Sequence, residues 1–278
     1  MLALAFSLFC STSQSLDAQG LESLPKVYDA WRTATVKKDY RSWKQLTSQR
    51  RQISVRNKII SAKAPFPASI FETPVPPPSI RGLKILKADQ KGQTAKVTYF
   101  GPVDFGVGGT PTDNLYVVSY INENGRWTYD GAEFVNLMAL PEVRTQLNAG
   151  TLDYLKSDDF KANGDVAAPT PIDQVQHVAK VYVFCPGRKV EVTVNGSDHT
   201  FIDAQEAEII VGGARSGENK VAFKATRLEG STGKEAFTVR VYLMNEAPTE
   251  KPVKVYEYLR NEGGAVDSSV KDAFQVKG

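Results

Sequence analysis

Residues that could carry acid–base or metal chemistry are few in this 278-residue chain. The two histidines, His177 and His199, both lie in the second half, and no H-x-x-x-H, C-x-x-C or H-E-x-x-H spacing occurs. A zinc site needs ligands at such spacings. Asp198 and Asp203 flank His199 and could complete a catalytic triad, but no G-x-S-x-G nucleophile motif accompanies them. We therefore expect His199 to lie in a surface loop, and we expect no metal site and no cofactor.

Carboxylates are the remaining candidates for acid–base catalysis in the first half. No histidine precedes His177, so a general base there would have to be Asp104, Asp113 or Asp130. Asp130 stands next to Gly131 in a predicted turn or bulge. These three aspartates define one functional hypothesis, an enzyme of the isomerase or hydrolase type.

A loop segment and a cysteine fit structural roles better than chemical ones. The run 158–165 contains the aspartates of a calcium loop, but alignment from Asp159 puts Lys161 at the third ligand position and Thr170 at the twelfth, where a glutamate is required. Cys185 ends an apolar, strand-like run, and no nearby group would lower its pKa. We predict a helix end followed by a loop in the first case and a buried, unreactive thiol in the second.

Positive charge is concentrated in one segment. The chain has 34 basic and 31 acidic residues, and the net charge of +3 is too small to imply an overall field for nucleic acid. Between Lys37 and Lys63, however, nine basic residues, Arg50 and Arg51 among them, accompany the single acid Asp39. Such a helical face suits an anionic glycan, lipid headgroups or an acidic partner, and the plain alternative is a solvated basic surface.

The hydrophobic spacing indicates how these residues are positioned. Leu24, Tyr28 and Trp31 recur at helical intervals, and the region 21–63 is predicted to form three consecutive helices. The proline-rich segment 64–78 cannot continue a helix and is predicted to be an extended connector. Beyond it the hydrophobic period changes to two, which predicts two antiparallel hairpins. The first half is therefore predicted to be an α+β domain with helices packed on a curved antiparallel sheet.

This order of helices and strands, together with the sequence Asn-Gly-Arg-Trp-Thr-Tyr-Asp-Gly at 124–131, resembles the NTF2-like family of cystatin-like α+β cone domains. The likeness covers residues 21–148 and departs from the family pattern at the connector 65–78. It implies a concave pocket between helices and sheet, which serves enzymes, ligand binders and dimerisation modules alike, so the fold does not settle the function. Aromatic residues at these positions could also be plain core. The predicted binding residues are Trp31, Trp43, Arg50, Arg51, Tyr99, Tyr116, Trp127 and Asp130.

The second half contains only strand-like patterns. Residues 149–173 are predicted to be a linker with a short helix, and residues 174–278 read as six or seven short strands of an all-β sandwich. Asn195-Gly196 predicts a tight hairpin, since both residues tolerate positive φ. The stretches 190–196 and 209–225 resemble the immunoglobulin-like and galactose-binding-like accessory sandwiches of secreted bacterial proteins, a pattern that specifies no sugar contact.

The first residues predict export. An uncharged apolar run followed by small and polar residues is typical of a signal peptide, which we place at 1–20 with cleavage near Ser15 or Ala18. Lipid attachment at Cys10 is an alternative. Without Cys10, the chain keeps only Cys185 and cannot form an internal disulfide. No later stretch has the roughly 20 apolar residues of a membrane helix. We expect a periplasmic, outer-membrane-associated or extracellular protein.

These patterns favour a non-catalytic exported bacterial binding or assembly protein. The α+β domain would supply a pocket or a dimerisation surface, and the β-sandwich would bind a glycan or an envelope protein. A homodimer is compatible with this hypothesis, and a nucleic-acid partner is not expected. The alternative is the enzyme acting in the cone pocket through Asp104, Asp113 or Asp130.

Overall fold

A computed structural model describes residues 18–106, 108–245 and 250–277. These residues form four α-helices and twelve strands in three antiparallel sheets, which confirms a mixed α+β protein rich in strand. Most of the predicted signal peptide, residues 1–17, lies outside the described residues. No helix among the described residues is long and apolar enough to cross a membrane.

The chain divides into two compact units. The first comprises the described residues up to Ser54 together with Phe71–Pro169, and the second comprises Val55–Ile70 and the described residues from Thr170 onward. The short segment joins the second unit through buried Asn57, whose side chain donates to the Thr170 carbonyl at 2.9 Å and accepts from the Ile172 amide at 3.0 Å. The predicted ranges 21–148, 149–173 and 174–278 stay predictions.

Three helices open the chain, and two of them have side-chain caps. Asp39 caps α2 by accepting from the Ser42 amide at 3.1 Å. Ser48 precedes α3, and its hydroxyl accepts from the Arg51 amide at 3.0 Å. Both caps satisfy amide groups that have no partner within the helix. The helices are α1 (Ala18–Val36), α2 (Tyr40–Leu46) and α3 (Gln49–Ser61).

The first unit contains one antiparallel sheet with the strands in sequence order. Asn124 and Gly125 have φ of 55° and 81° and form the two-residue turn of a predicted hairpin, with Glu123 opposite Arg126. α1 lies against one face of the sheet, and α4 (Pro141–Asn148) joins an apolar cluster with Leu115. The strands are β1 (Lys84–Lys91), β2 (Thr94–Val103), β3 (Thr112–Glu123) and β4 (Arg126–Asn136).

The second unit contains two four-stranded sheets, ordered β11-β10-β5-β8 and β12-β9-β6-β7, which enclose one hydrophobic core. Val181 and Val239 reach this core from the first sheet, and Val192 and Phe223 reach it from the second. The strands are β5 (Ala179–Phe184), β6 (Arg188–Val194), β7 (Ser197–Ile202), β8 (Gln205–Ile209), β9 (Gly217–Arg227), β10 (Phe237–Leu243), β11 (Val253–Arg260) and β12 (Ser269–Val276).

Candidate functional site

An aromatic cluster occupies the space between α1 and the sheet of the first unit. The ring of Trp31 stacks on that of Tyr129, with centroids 3.6 Å apart. The hydroxyl of Tyr28 lies 2.9 Å from that of Tyr116 and donates to the Pro78 carbonyl at 2.8 Å. The predicted binding residues Trp31 and Tyr116 therefore do meet in one cluster, but both are buried and Tyr116 already has a hydrogen-bond partner.

Four side-chain polar atoms in this unit are buried without a partner. The indole Nε1 of Trp31 and the hydroxyls of Thr98, Tyr99 and Tyr120 find no hydrogen bond within the described parts of the chain. Burial raises the pKa of Tyr99 to about 12 and also raises that of Tyr120. These phenols therefore stay neutral at physiological pH, and none of them is activated as a base.

A β-bulge brings Asp130 to the start of α3. In the pairing of β3 with β4, Tyr120 lies opposite Tyr129 and Ser119 lies opposite Gly131, so Asp130 is the extra residue. A bulge re-aims the side chain of its extra residue. The carboxylate of Asp130 accepts from the Ser48 hydroxyl at 2.5 Å. 

Arg50 neutralises this buried carboxylate. Its guanidinium forms an ion pair with Asp130 Oδ2, and its Nε lies 3.3 Å from Oδ1. The same guanidinium lies 3.6 Å from the exposed carboxylate of Asp165. The hydrogen bond to Asp130 is the main cause of the raised pKa of Arg50. Both oxygens of Asp130 are thus engaged, whereas a general base needs a free oxygen within reach of its substrate.

The space next to the ion pair is small and covered. A cavity of about 30 Å³ is lined by Tyr120, Asp130, Arg50 and the segment 162–163. The covering segment is held by the Ala162 amide, which donates to Asp89 at 2.7 Å. Such a cavity has room for about one or two water molecules and not for a sugar ring.

The other predicted residues of the first unit lie outside this ion pair. Trp43 is buried and stacks on Tyr40 at 6.2 Å, and Trp127 is half-buried on β4. Arg51 is half-buried and close enough to Tyr129 to oppose the rise of that tyrosine's pKa. Of the alternative catalytic residues, Asp104 is exposed and accepts from the Gly106 amide at 2.7 Å, and Asp113 is half-buried at the start of β3.

The basic segment is partly used for internal contacts. Arg50 is paired with Asp130, and Arg56 lies 3.2 Å from Asp173 in the second unit. The segment is also divided, because residues up to Ser54 belong to the first unit and those from Val55 to the second. Its predicted role as a basic face that binds anionic ligands therefore depends on fewer side chains than the sequence suggests.

The histidines and the cysteine of the second unit have structural positions. The expected surface-loop position of His199 is wrong, because His199 is buried on β7, 2.8 Å from Glu208 and 3.1 Å from the Ser197 hydroxyl. The loop was predicted because Ser197 and His199, which point inward on β7, are polar, so the segment lacks the apolar alternation that indicates a strand. His177 is half-buried beside the Ser216 hydroxyl at 3.0 Å. Cys185 is fully buried, as predicted, and burial raises its pKa.

Sequence reasoning missed two grooves in the second unit. Their volumes are about 760 and 800 Å³, and both include outward residues of β9 and β12. Three exposed lysines, Lys220, Lys224 and Lys271, surround Ala222 on the outer face of the sheet β12-β9-β6-β7, and we call this surface the lysine face. The alternation of Lys220 and Lys224 with the apolar residues Val221 and Phe223 could have indicated that both lysines point outward from one strand. The position of Lys271 beside them could not be predicted, because it depends on the register between β9 and β12.

Among the described residues, no group of three or more His, Cys, Asp or Glu side chains is arranged to hold a metal ion. In comparisons with protein-family models, curated proteins and solved structures, the chain has no significant match.

Proposed function

We propose that this chain is a non-catalytic exported binding or assembly protein. In this proposal an NTF2-like α+β domain is followed by an immunoglobulin-like or galactose-binding-like β-sandwich that binds a glycan. The observation that carries the proposal is the contrast between the cavity of about 30 Å³ beside the ion-paired Asp130 and the open grooves of about 760 and 800 Å³ in the second unit, which exceed the groove of about 420 Å³ along α1 and α2. Ligand sites are concave spaces of roughly 300–1,000 Å³.

The competing enzyme hypothesis has less support. Its best candidate, Asp130, already accepts hydrogen bonds from Ser48 and Arg50 on its two oxygens. Asp104 is exposed and bound to a backbone amide within its own loop. The cavity beside Asp130 is only about 30 Å³, too small to hold a substrate beside a second polar group, as acid–base chemistry requires.

A glycan array followed by mass spectrometry tests the proposal. The full chain should be retained by at least one class of glycan, and the retained glycan should have an unchanged mass after prolonged incubation. Retention of no glycan would contradict the glycan-binding proposal. A new product mass that disappears in the Asp130→Asn variant, while a Tyr99→Phe variant still forms it, would establish the enzyme instead.

A further inference from the structure

We infer that the lysine face binds an acidic polysaccharide, that is, a chain of sugars bearing carboxylate or sulfate groups. This inference rests on the proposed binding function and names its ligand class and its surface. It is argued from the strand register, the charges and the side chains that line the two grooves.

The register of three strands builds a triangle of lysines. Ala222 on β9 lies between Lys271 on β12 and Thr193 on β6. Lys220 and Lys224 are two residues to either side of Ala222 and share its outward direction. Neighbouring strands are about 4.8 Å apart and alternate residues about 6.8 Å apart, so each β9 lysine has its Cα roughly 8 Å from that of Lys271. The small Ala222 side chain leaves the centre of the triangle open.

The positive charge of this triangle is only partly compensated, although the carboxylates of Glu218 and Asp272 line the first groove beside Lys220 and Lys271. Within the described chain, Lys220, Lys224 and Lys271 take part in no ion pair, whereas nearby Lys189 lies 3.0 Å from Glu191. Glu191 faces Lys224 across the strands, but the pKa of Glu191 is lowered chiefly by Lys189. Clustered cations of this kind attract an anionic ligand, and a lysine acts as a point charge that tolerates carboxylate and sulfate alike.

The remaining lining residues favour an acidic sugar over nucleic acid. The first groove adds the carboxylate of Glu218 and the hydroxyl of Thr193, which can accept hydrogen bonds from sugar hydroxyls. A phosphodiester backbone brings no such donors. None of the described residues that line the two grooves is aromatic, and single-stranded nucleic acids bind on aromatic stacking platforms.

The length of the surface indicates a polymer. The first groove includes Ala222 and Lys271, and the second includes Lys224 and Ser269, which are the next outward residues along the same two strands. The two grooves therefore follow one another along the β9–β12 pair. A single monosaccharide would occupy only a part of this track, whereas an extended chain would contact all three lysines.

Binding of the full chain to immobilised heparin and polygalacturonate tests the inference, with dextran as the neutral glycan and oligothymidylate as the nucleic acid. The Lys220→Ala/Lys271→Ala variant should bind both acidic polysaccharides at least tenfold more weakly and show a smaller salt dependence. The control variant, Lys180→Ala/Lys254→Ala, makes the same charge change on the outer face of the other sheet and should bind within about twofold of the unaltered chain. Circular dichroism verifies that both variants are folded.

Each contrary outcome has a separate meaning. Equal losses in the two variants, or no loss in either, would overturn the lysine face as the site and leave the glycan-binding proposal intact. Stronger binding to oligothymidylate than to both polysaccharides would overturn the ligand class. Binding to dextran alone would overturn the inference but support the proposed function, and binding to none of the glycans would count against both.

Discussion

Replacing Asp130 by alanine should destabilise the first unit strongly, because the carboxylate holds two other polar side chains. The Asp130 side chain is only 5% exposed, and it accepts from the hydroxyl of Ser48 and the guanidinium of Arg50. Without it, the buried Ser48 hydroxyl loses its acceptor and Arg50 keeps a charge that is 28% exposed. The Asp165→Ala variant is the matched control, because Asp165 faces the same guanidinium but is 57% exposed.

The two variants should differ by several kilocalories per mole. Removing one partner of a buried ion pair costs about 3–5 kcal/mol, and we expect about 3 kcal/mol for Asp130→Ala because water reaches part of Arg50. An exposed pair contributes about 0–1 kcal/mol, so Asp165→Ala should cost less than about 0.5 kcal/mol. Asp130→Asn keeps an acceptor for Ser48 and should fall between the two.

Tryptophan fluorescence during urea unfolding measures this difference in the full chain. All three tryptophans, Trp31, Trp43 and Trp127, belong to the first unit, so the signal reports that unit selectively. With a slope of about 2 kcal/mol per molar urea, the midpoint for Asp130→Ala should fall by about 1.5 M. Equal midpoints for Asp130→Ala and Asp165→Ala would refute the reasoning that burial makes the first pair strong.

Two further predictions concern a glycine turn and the buried tyrosines. Gly213→Ala should destabilise the second unit by about 3 kcal/mol, because φ is +64° and a Cβ would overlap the His177 carbonyl oxygen. Gly212→Ala, with φ of +84° and open space around the Cβ, should destabilise it by only about 1 kcal/mol, and equal melting temperatures of the two variants by circular dichroism would contradict this. Burial raises the pKa of Tyr99 to about 12 and also raises that of the other buried tyrosines, so the folded chain holds more protons than the unfolded chain above pH 10. The first unit should therefore keep its stability up to about pH 9 and lose it progressively from pH 10 to 12, and a urea midpoint that is constant over that range would contradict the assignment.

The helices and hairpin turns of the first unit were predictable because their causes are local. Leu24, Tyr28 and Trp31 follow the helical period and are all buried on α1. Asn124-Gly125 and Asn195-Gly196 form the turns of predicted hairpins, since the positive φ angles are set within each dipeptide. His199, in the strand after the second turn, was nevertheless assigned to a loop, because the inward residues Ser197 and His199 are polar and the strand lacks an apolar alternation.

The candidate site was only partly predictable. Arg50 and Asp130 were both predicted as binding residues, but their ion pair could not be predicted, because a bulge in β4 re-aims Asp130 toward α3. The predicted aromatic pocket residues Trp31 and Tyr116 do meet, and their burial makes them part of the core of the first unit. The lysine face could not be predicted from the sequence, because its lysines come from two strands, β9 and β12, that are distant along the chain and become neighbours only in the sheet.

The amino-acid sequence by itself determined the helical and strand periods and the tight turns, because each depends on residues that are close together along the chain. Tertiary structure alone decided that Ser48 meets Asp130 across 82 positions and that Lys271 lies beside the lysines of β9. Those contacts depend on strand register and on a single extra residue in a bulge. A shift of one residue in either would turn the same side chains to the opposite face, and no local pattern fixes that choice.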